Sequence, residues 1–446
     1  MSEVTLNWKN KGLSLRACGP ESYEWVEQSR SEIQGAPELI TLSGRYPARH
    51  SNVLAIGDGM DAIEAVAASA DLLADKIRLV YVDPPFNTSA DVQCYNDTMD
   101  RSMWLSLLRD RLVALQPHLS DDASVWVHLD DSEVHRARLV LDDVFGEKAF
   151  VSSIIWQKRT TRESRTAFSV NHDTILVYAP SGPKHWKTSR NLLAKDPAEL
   201  GNKDNDPRGP WADAPFTAPG YRAAQQYQIS TPSGVTLKPP RGRSWYATEP
   251  TYRNLIEQNR IWFPKNGSGS PRLKLFSDQS RGLVPFTIWA SQETGTNDDA
   301  KRHLQYLFPG KLVFDTPKPE ELLKRIIHIA SEPGDLVVDI FGGSGTTAAV
   351  SHKMGRRWLL VERNLKTVCE FTLPRLQAVI SGSDADGVTE STGWNGGGSF
   401  ELAYAPPRFG KSYSKEELSR VKGLLTDTNF GSLSTSLTPP PSATPR

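Results

Sequence analysis

Between residues 50 and 180 the chain alternates two hydrophobic rhythms. Short apolar runs (SNVLAI, IRLVYVD, SVWVHLD, DTILVYA) are separated by longer, helix-length stretches. These are DAIEAVAASADLLAD, MDRSMWLSLLRDRLVALQPHL and SEVHRARLVLDDVF. That alternation predicts βα units and an α/β fold with a parallel sheet. From about 315 to 375 the rhythm returns in PEELLKRIIHIA, DLVVDIF, GTTAAVSHKM and RRWLLVE. Between them lies a stretch rich in proline, glycine, tryptophan and arginine, as in DPRGPWADAPFTAPGY and KPPRGRSWYA. One sheet is therefore expected from two separated segments, residues 50–184 and 306–410, with an insert over 185–305. Residues 1–49 form an N-terminal extension and 411–446 a C-terminal tail. The end of the tail, SLTPPPSATPR, has a disordered composition. Large inserts in α/β enzymes commonly supply recognition, since loops at the strand ends face the ligand.

Composition narrows the class. The 446 residues are 38% hydrophobic and 23% charged, as in a soluble globular protein. Cys18, Cys94 and Cys369 are too few and too scattered for a disulfide framework or a zinc site, which fits a reducing cytoplasm. His128 and His135 have no metal-ligand partner at useful spacing and read as structural, so no metal is expected. MSEVTLNWKN lacks the apolar segment of a signal peptide. No run approaches the roughly 18 apolar residues of a membrane span. The formal net charge is zero, yet residues 61–150 carry 8 Lys+Arg against 17 Asp+Glu, while residues 151–300 carry 20 against 13. A basic middle in a neutral chain fits local contact with a polyanion.

Two strand ends carry chemistry. LVYVDPPFNT, residues 79–88, runs from a buried strand into Asp83, Pro84, Pro85 and Phe86. Prolines cannot donate to a sheet ladder, so the strand stops at Asp83. This leaves a carboxylate, a rigid turn and an aromatic ring where open α/β sheets bind ligands. DLVVDIFGGSGTTAAV, residues 335–350, ends a second strand at Asp339 and enters a glycine-rich turn. Its glycines permit positive φ and close approach of a ligand. Glu362, ending WLLVE, can accept hydrogen bonds from ribose hydroxyls. The turn is neither GxGxxG nor a phosphate loop, and no lysine lies in it to neutralise phosphates. It suits a nucleoside cofactor without pyrophosphate, S-adenosylmethionine being the obvious one; a plain strand-to-helix turn is the alternative.

DPPF after one strand, followed much later by FxGxGT after another, resembles the β class of DNA amino-methyltransferases. In that class the catalytic motif precedes the cofactor motif, with target recognition between them. VLAIGDGMDAI, RTTRESRTAFSVNHDTILVYA, FDTPKPEELLKRIIHIASEPGDLVVDIFGGSGTT and GWNGGGSF extend the likeness over roughly residues 50 to 405. It resembles the modification subunits of type III restriction systems and related adenine methyltransferases. The resemblance implies a Rossmann-like methyltransferase sheet of circularly permuted motif order, with S-adenosyl-L-methionine as cofactor. It implies transfer to the N6 amino group of adenine in double-stranded DNA by base flipping.

The chemistry accounts for DPPF. An exocyclic amino group is a poor nucleophile because its lone pair is conjugated into the ring. Asp83 and the Pro84 carbonyl can accept its two hydrogens, freeing the lone pair for in-line attack. Phe86 would stack on the flipped base; many family members carry Tyr there, so stacking survives while a hydroxyl is lost. By resemblance, Phe341, Gly343, Gly345 and Thr346 surround the cofactor, Asp339 lies near its methionine end and Glu362 on its ribose. Thr316 and Lys318 match the segment beside the methionine moiety, and Asp58 matches a position for the adenine amino group. For Asp58 a helix N-cap is the alternative, and for Lys318 a solvated side chain.

DNA contacts are expected in QKRTTRESR, from Lys158, Arg159, Arg162 and Arg165, and in the insert from Arg241, Arg243 and Arg272. Arginine reads guanine bidentately, yet most interface arginines touch phosphate. A cytosine-N4 enzyme, a catalytically silent DNA-binding subunit and a nicotinamide oxidoreductase are the competing readings. The missing GxGxxG weighs against the last. The resemblance further implies a homodimer, a place in restriction–modification or other phage defence, and a restriction or helicase subunit as a potential partner.

Overall fold

The computed structural model describes residues 6–19, 22–27, 37–42, 50–69, 71–87, 99–194, 200–276, 282–310 and 314–426. Cys94 and the tail SLTPPPSATPR lie outside them. The chain divides into two compact units, Met1–Asn191 with Phe286–Arg446, and Leu192–Pro285. The second unit is thus shorter at both ends than the expected insert over 185–305.

The first unit is built on a ten-stranded sheet. In chain order its strands are β1 (Ile40–Thr41), β2 (Val53–Ile56), β3 (Ile77–Val82), β4 (Leu119–Leu129) and β5 (Phe150–Gln157). They continue with β6 (His172–Tyr178), β7 (Ile288–Trp289), β8 (Leu336–Asp339), β9 (Arg357–Glu362) and β10 (Glu401–Tyr404). Across the sheet the order is β7-β5-β6-β4-β3-β8-β9-β2-β10-β1. Helices α1 (Gly59–Ser69), α2 (Arg101–Leu115), α3 (Val134–Phe145), α4 (Asn297–Leu307), α5 (Glu320–Ala330), α6 (Thr346–Lys353) and α7 (Leu373–Ser381) belong to the same unit.

Six central strands, from β4 to β10, run parallel. All six residues of β3 are buried, as in strands covered on both faces. Pro84 ends this strand at Val82, one residue earlier than the sequence implies. The sheet is mixed, not wholly parallel: β6 is antiparallel to both β4 and β5, and β1 to β10. Parallel return needs a crossover element, and the described chain between Gln157 and His172 holds no helix.

The order places a switch point. From β3 the chain passes through α2 to β4 on one side; from β8 it passes through α6 to β9 on the other. Since β3 and β8 are neighbours with Tyr81 paired to Asp339, their carboxyl ends flank the crevice where open sheets take ligands. Asp83 and Asp339, 256 positions apart in the chain, arrive there together.

The second unit is small and irregular. Arg272–Phe276 pairs antiparallel with Trp211–Pro215 on one side and Ile261–Trp262 on the other. Thr217–Pro219 with Arg243–Trp245, and Ile229–Ser230 with Thr236–Leu237, form two ribbons around Phe216, Ile229, Trp245 and Ile261. Its fully buried Lys274 is neutralised by Asp206 at 2.8 Å. Among the described residues no helix is long and apolar enough to cross a membrane.

Candidate active site

The two strand ends share a cleft. Asp83 and Tyr81 line it from β3, Asp339, Phe341, Gly343 and Thr346 from the β8 turn, and Thr316 and Lys318 from the approach to α5. Seven of the residues singled out from the sequence therefore meet here.

At the β3 end, Lys318 Nζ donates to Asp83 Oδ2 at 2.6 Å. The lysine side chain is only 6% exposed, and its ammonium also lies 5.0 Å from the Phe86 ring centre. Asp83 Oδ1 is buried with no hydrogen-bond partner among the described residues. Such an oxygen is costly unless a donor arrives. Lys318 is thus a partner of the Asp83 carboxylate, and the solvated alternative for it falls away.

At the β8 end, Asp339 Oδ1 accepts Phe341 N–H at 2.9 Å, and Oδ2 accepts the Thr347 hydroxyl at 2.6 Å. Burial pushes its carboxyl up to about 7 against those two bonds, with the Asp83 and Glu362 charges adding to the rise. Gly343 has φ 48° and Gly345 φ 82°, left-handed values that favour glycine. Gly343 N–H donates to Glu362 Oε2 at 2.7 Å, and Asn364 N–H donates to Oε1 at 2.7 Å. Burial raises Glu362 to about 7, opposed by these N–H groups and Arg363. A carboxylate has about four acceptor sites, so Glu362 keeps capacity for a further hydroxyl.

Behind the turn, Arg375 donates to Thr346 Oγ1 at 2.8 Å and to Glu320 at 2.8 Å. His303, Glu320 and Asp384 converge as metal ligands can, but Lys353 bonds both acids, at 2.8 and 2.7 Å. The cluster is a charge-balanced support for the turn.

Asp58 and Glu362 do not line this cleft but lie at the ends of neighbouring strands, Gly57 N–H donating to the Glu362 carbonyl at 3.0 Å. Asp58 Oδ1 accepts Met60 N–H at 3.0 Å at the start of α1, and its Oδ2 takes Arg111 at 2.7 Å and the Tyr23 hydroxyl at 3.1 Å. The geometry is the N-cap alternative plus a buried ion pair. Burial pushes its carboxyl up, but Arg111 and Arg363 outweigh that and hold it below the usual range.

The basic residues divide. Lys158 turns inward to Asp173 at 2.7 Å, because β5 and β6 pair Trp156 with Asp173; it is not on a surface track. Arg159 contacts Ser169 at 3.4 Å, and Arg165 pairs with Glu163 at 3.1 Å while 87% exposed. In the second unit Arg243 is tied to Thr217 by bonds of 3.1 Å, and Arg272 is ion-paired with Asp213. Arg162 and Arg241 are exposed and form no ion pair among the described residues.

The scaffold behind Phe86 was not legible in the sequence. His128, fully buried, stacks against Phe86 at 6.1 Å and 26°. Its Nε2 lies 3.2 Å from Asp173 and its Nδ1 2.8 Å from Tyr81 Oη. An ionised Asp173 only accepts, so Nε2 carries the hydrogen and Nδ1 accepts from Tyr81. Burial and the Lys318 charge hold the imidazole below its ordinary range, so it stays neutral. Burial pushes Asp173 up, but His128, Lys158 and Lys318 bring it down to about 2. Reading His128 as structural matches this packing.

Residues 77–371 match the model of a family described as DNA methylase. The Mod subunit of the type III restriction-modification enzyme StyLTI of Salmonella typhimurium is 29% identical over 335 residues, covering 67% of this chain and 49% of that protein. Type II methyltransferase M.EcaI of Enterobacter cloacae is 27% identical, covering 65% and 62%. The chain thus spans about half to three-fifths of the length of these relatives. Among solved structures, the PvuII DNA methyltransferase (cytosine-N4-specific) aligns over 74% of this chain and 89% of that one, with 15% identity and a TM-score of 0.39. With two thirds of its length matched by the family model, the chain belongs to the DNA methylase family.

Proposed function

We propose that this chain transfers a methyl group from S-adenosylmethionine to an exocyclic amino group of DNA, with N6 of adenine as the target. The observation that carries the reading is the partnerless Asp83 oxygen at the strand end beside the Asp339–Gly345 turn. That oxygen calls for an N–H donor, which an amino group supplies. The turn offers acids and backbone without a lysine, which fits a cationic nucleoside better than a pyrophosphate.

When bound, the cofactor supplies an activated methyl group on a sulfonium. Asp83 Oδ1 and the Pro84 carbonyl accept the two amino hydrogens and aim the nitrogen lone pair across the cleft. Asp83 is the nearest carboxylate to take the proton that the nitrogen sheds. Phe86 stacks on the flipped base, and His128 backs the ring. Asp339, Lys318 and Thr316 serve the methionine end, and Glu362 the ribose. Positioning two reactants in line provides most of the acceleration. Arg162 and Arg241 provide phosphate contacts, and a homodimer within a restriction or other defence assembly is the expected working form.

The test is to incubate the protein with cofactor and unmethylated DNA, digest the DNA and chromatograph the nucleosides. N6-methyl-2′-deoxyadenosine supports the reading; N4-methyl-2′-deoxycytidine moves the enzyme to the other amino target; the absence of both, in folded protein that binds cofactor, contradicts it.

A further inference from the structure

The DPPF turn has few soft dihedrals, and two side chains hold those that remain. Pyrrolidine rings fix φ at Pro84 and Pro85. The next rotation is ψ of Pro85, which turns the Pro85–Phe86 peptide plane and so sets the direction in which the chain leaves towards Phe86. Trp104, fully buried in α2, donates its indole N–H to the Pro85 carbonyl at 2.6 Å. Asn87, directly after Phe86, sits at φ 57° in the left-handed region. Its Oδ1 accepts Met99 N–H at 2.9 Å, and its Nδ2 donates to Glu133 Oε1 at 3.3 Å.

Glu133 is 1% exposed and immediately precedes α3. It also receives Arg101 at 3.2 Å and Arg136 at 3.0 Å. It therefore ties together the residue after Phe86, the first residue of α2 and the first turn of α3. Each of these bonds is made to the backbone or side chains of the turn and of the helices beside it.

We propose that Trp104 and Glu133 are positioning residues for the transfer step: a clamp that fixes the backbone on both sides of Phe86. The inference rests on the methyltransferase reading. Trp104 commits the Pro85 carbonyl and so leaves the Pro84 carbonyl as the one presented to the amino group. Glu133 locks Asn87 and so sets the plane of the Phe86 ring. An acceptor misplaced by an ångström costs orders of magnitude in an in-line reaction while binding is hardly touched.

The experiment uses the full chain and compares W104F, E133Q and N87A with the wild type. Active protein is counted by the stoichiometry of S-adenosylmethionine binding in a calorimeter. Per active molecule, kcat for methyl transfer should fall at least tenfold in each variant, with KM for the cofactor within twofold. W104H, which keeps a ring N–H, should recover part of the loss. A purely structural role would lower the active fraction and leave kcat per active molecule unchanged, which would overturn the proposal.

Amide exchange supplies a readout independent of turnover. The Met99 amide, bonded to Asn87, should exchange faster in N87A and E133Q. Unchanged exchange would overturn the clamp even if activity fell. If the wild type transferred no methyl group, the functional reading would fail, and exchange alone would still decide the clamp.

Discussion

Replacing Lys318 by methionine removes the ammonium that holds Asp83 at 2.6 Å and keeps a stem of similar length over Phe86. Breaking a buried pair from one side costs about 3–5 kcal/mol, because the surviving charge is left uncompensated. Here the Asp83 side chain is 20% exposed and Lys318 6%, so water partly compensates the carboxylate. We expect about 2–3 kcal/mol for Lys318→Met, and a similar or larger loss for Asp83→Asn, which strands the more deeply buried ammonium. The double variant buries no charge at this place and should be more stable than the sum of the single losses by about 1–2 kcal/mol. The assay is denaturant unfolding followed by tryptophan fluorescence at low and high salt. Because the pair is buried, adding about 0.5 M salt should change the coupling little, unlike a surface pair. Additive losses within about 0.5 kcal/mol, or a Lys318→Met protein as stable as the wild type, would refute the reasoning.

Asp339 predicts a pH dependence, since its folded value of about 7 lies above the ordinary carboxylate range. The folded protein keeps a proton that the unfolded chain releases, so this contribution to stability is present at low pH and lost as pH rises through about 7. A cationic cofactor favours the ionised carboxyl, so affinity should tighten between pH 5.5 and 7, by up to about tenfold per pH unit, with proton release; a flat calorimetric profile contradicts this. Gly345→Ala forces a β-carbon into φ 82° and to 3.1 Å from Thr372 Cγ2, a loss of about 1–2 kcal/mol. It should weaken cofactor binding and lower the melting temperature, and unchanged values would count against the role of the turn. Arg162→Ala and Arg241→Ala should each flatten the salt dependence of DNA binding by about 0.9 in log–log slope, if each neutralises one phosphate. Arg272→Ala, whose guanidinium is already held by Asp213, should leave the slope unchanged.

The strand corners were legible in the sequence because their signals are local. An apolar run meeting Pro84 and Pro85 can only end, and glycines at 343 and 345 announce positive φ. That the two corners are neighbours came from family resemblance, since periodicity says nothing of strand order. The partners of the side chains were not legible, because they are made across long separations. Lys318 and Asp83 stand 235 positions apart, and Trp104 reaches back 19 residues to the Pro85 carbonyl. Lys158 read as surface charge because its run is basic and hydroxyl-rich, yet strand pairing carries Asp173 beside it. Asp58 shows the opposite limit. An acid between strand and helix suits a cap as well as a ligand, and the sequence does not show that Arg111 and Tyr23 share its carboxylate.

On the proposed reading, Asp83 and the turn after Asp339 form one transfer site. The most direct test measures tritium transfer from labelled S-adenosylmethionine to unmethylated DNA for the wild type and Asp83→Ala, with cofactor affinity measured by calorimetry on both. The wild type should transfer, the variant should lose transfer by at least a thousandfold, and cofactor affinity should stay within about threefold. Transfer that persists without the Asp83 carboxylate, or a wild type that binds no cofactor while folded, would contradict that reading.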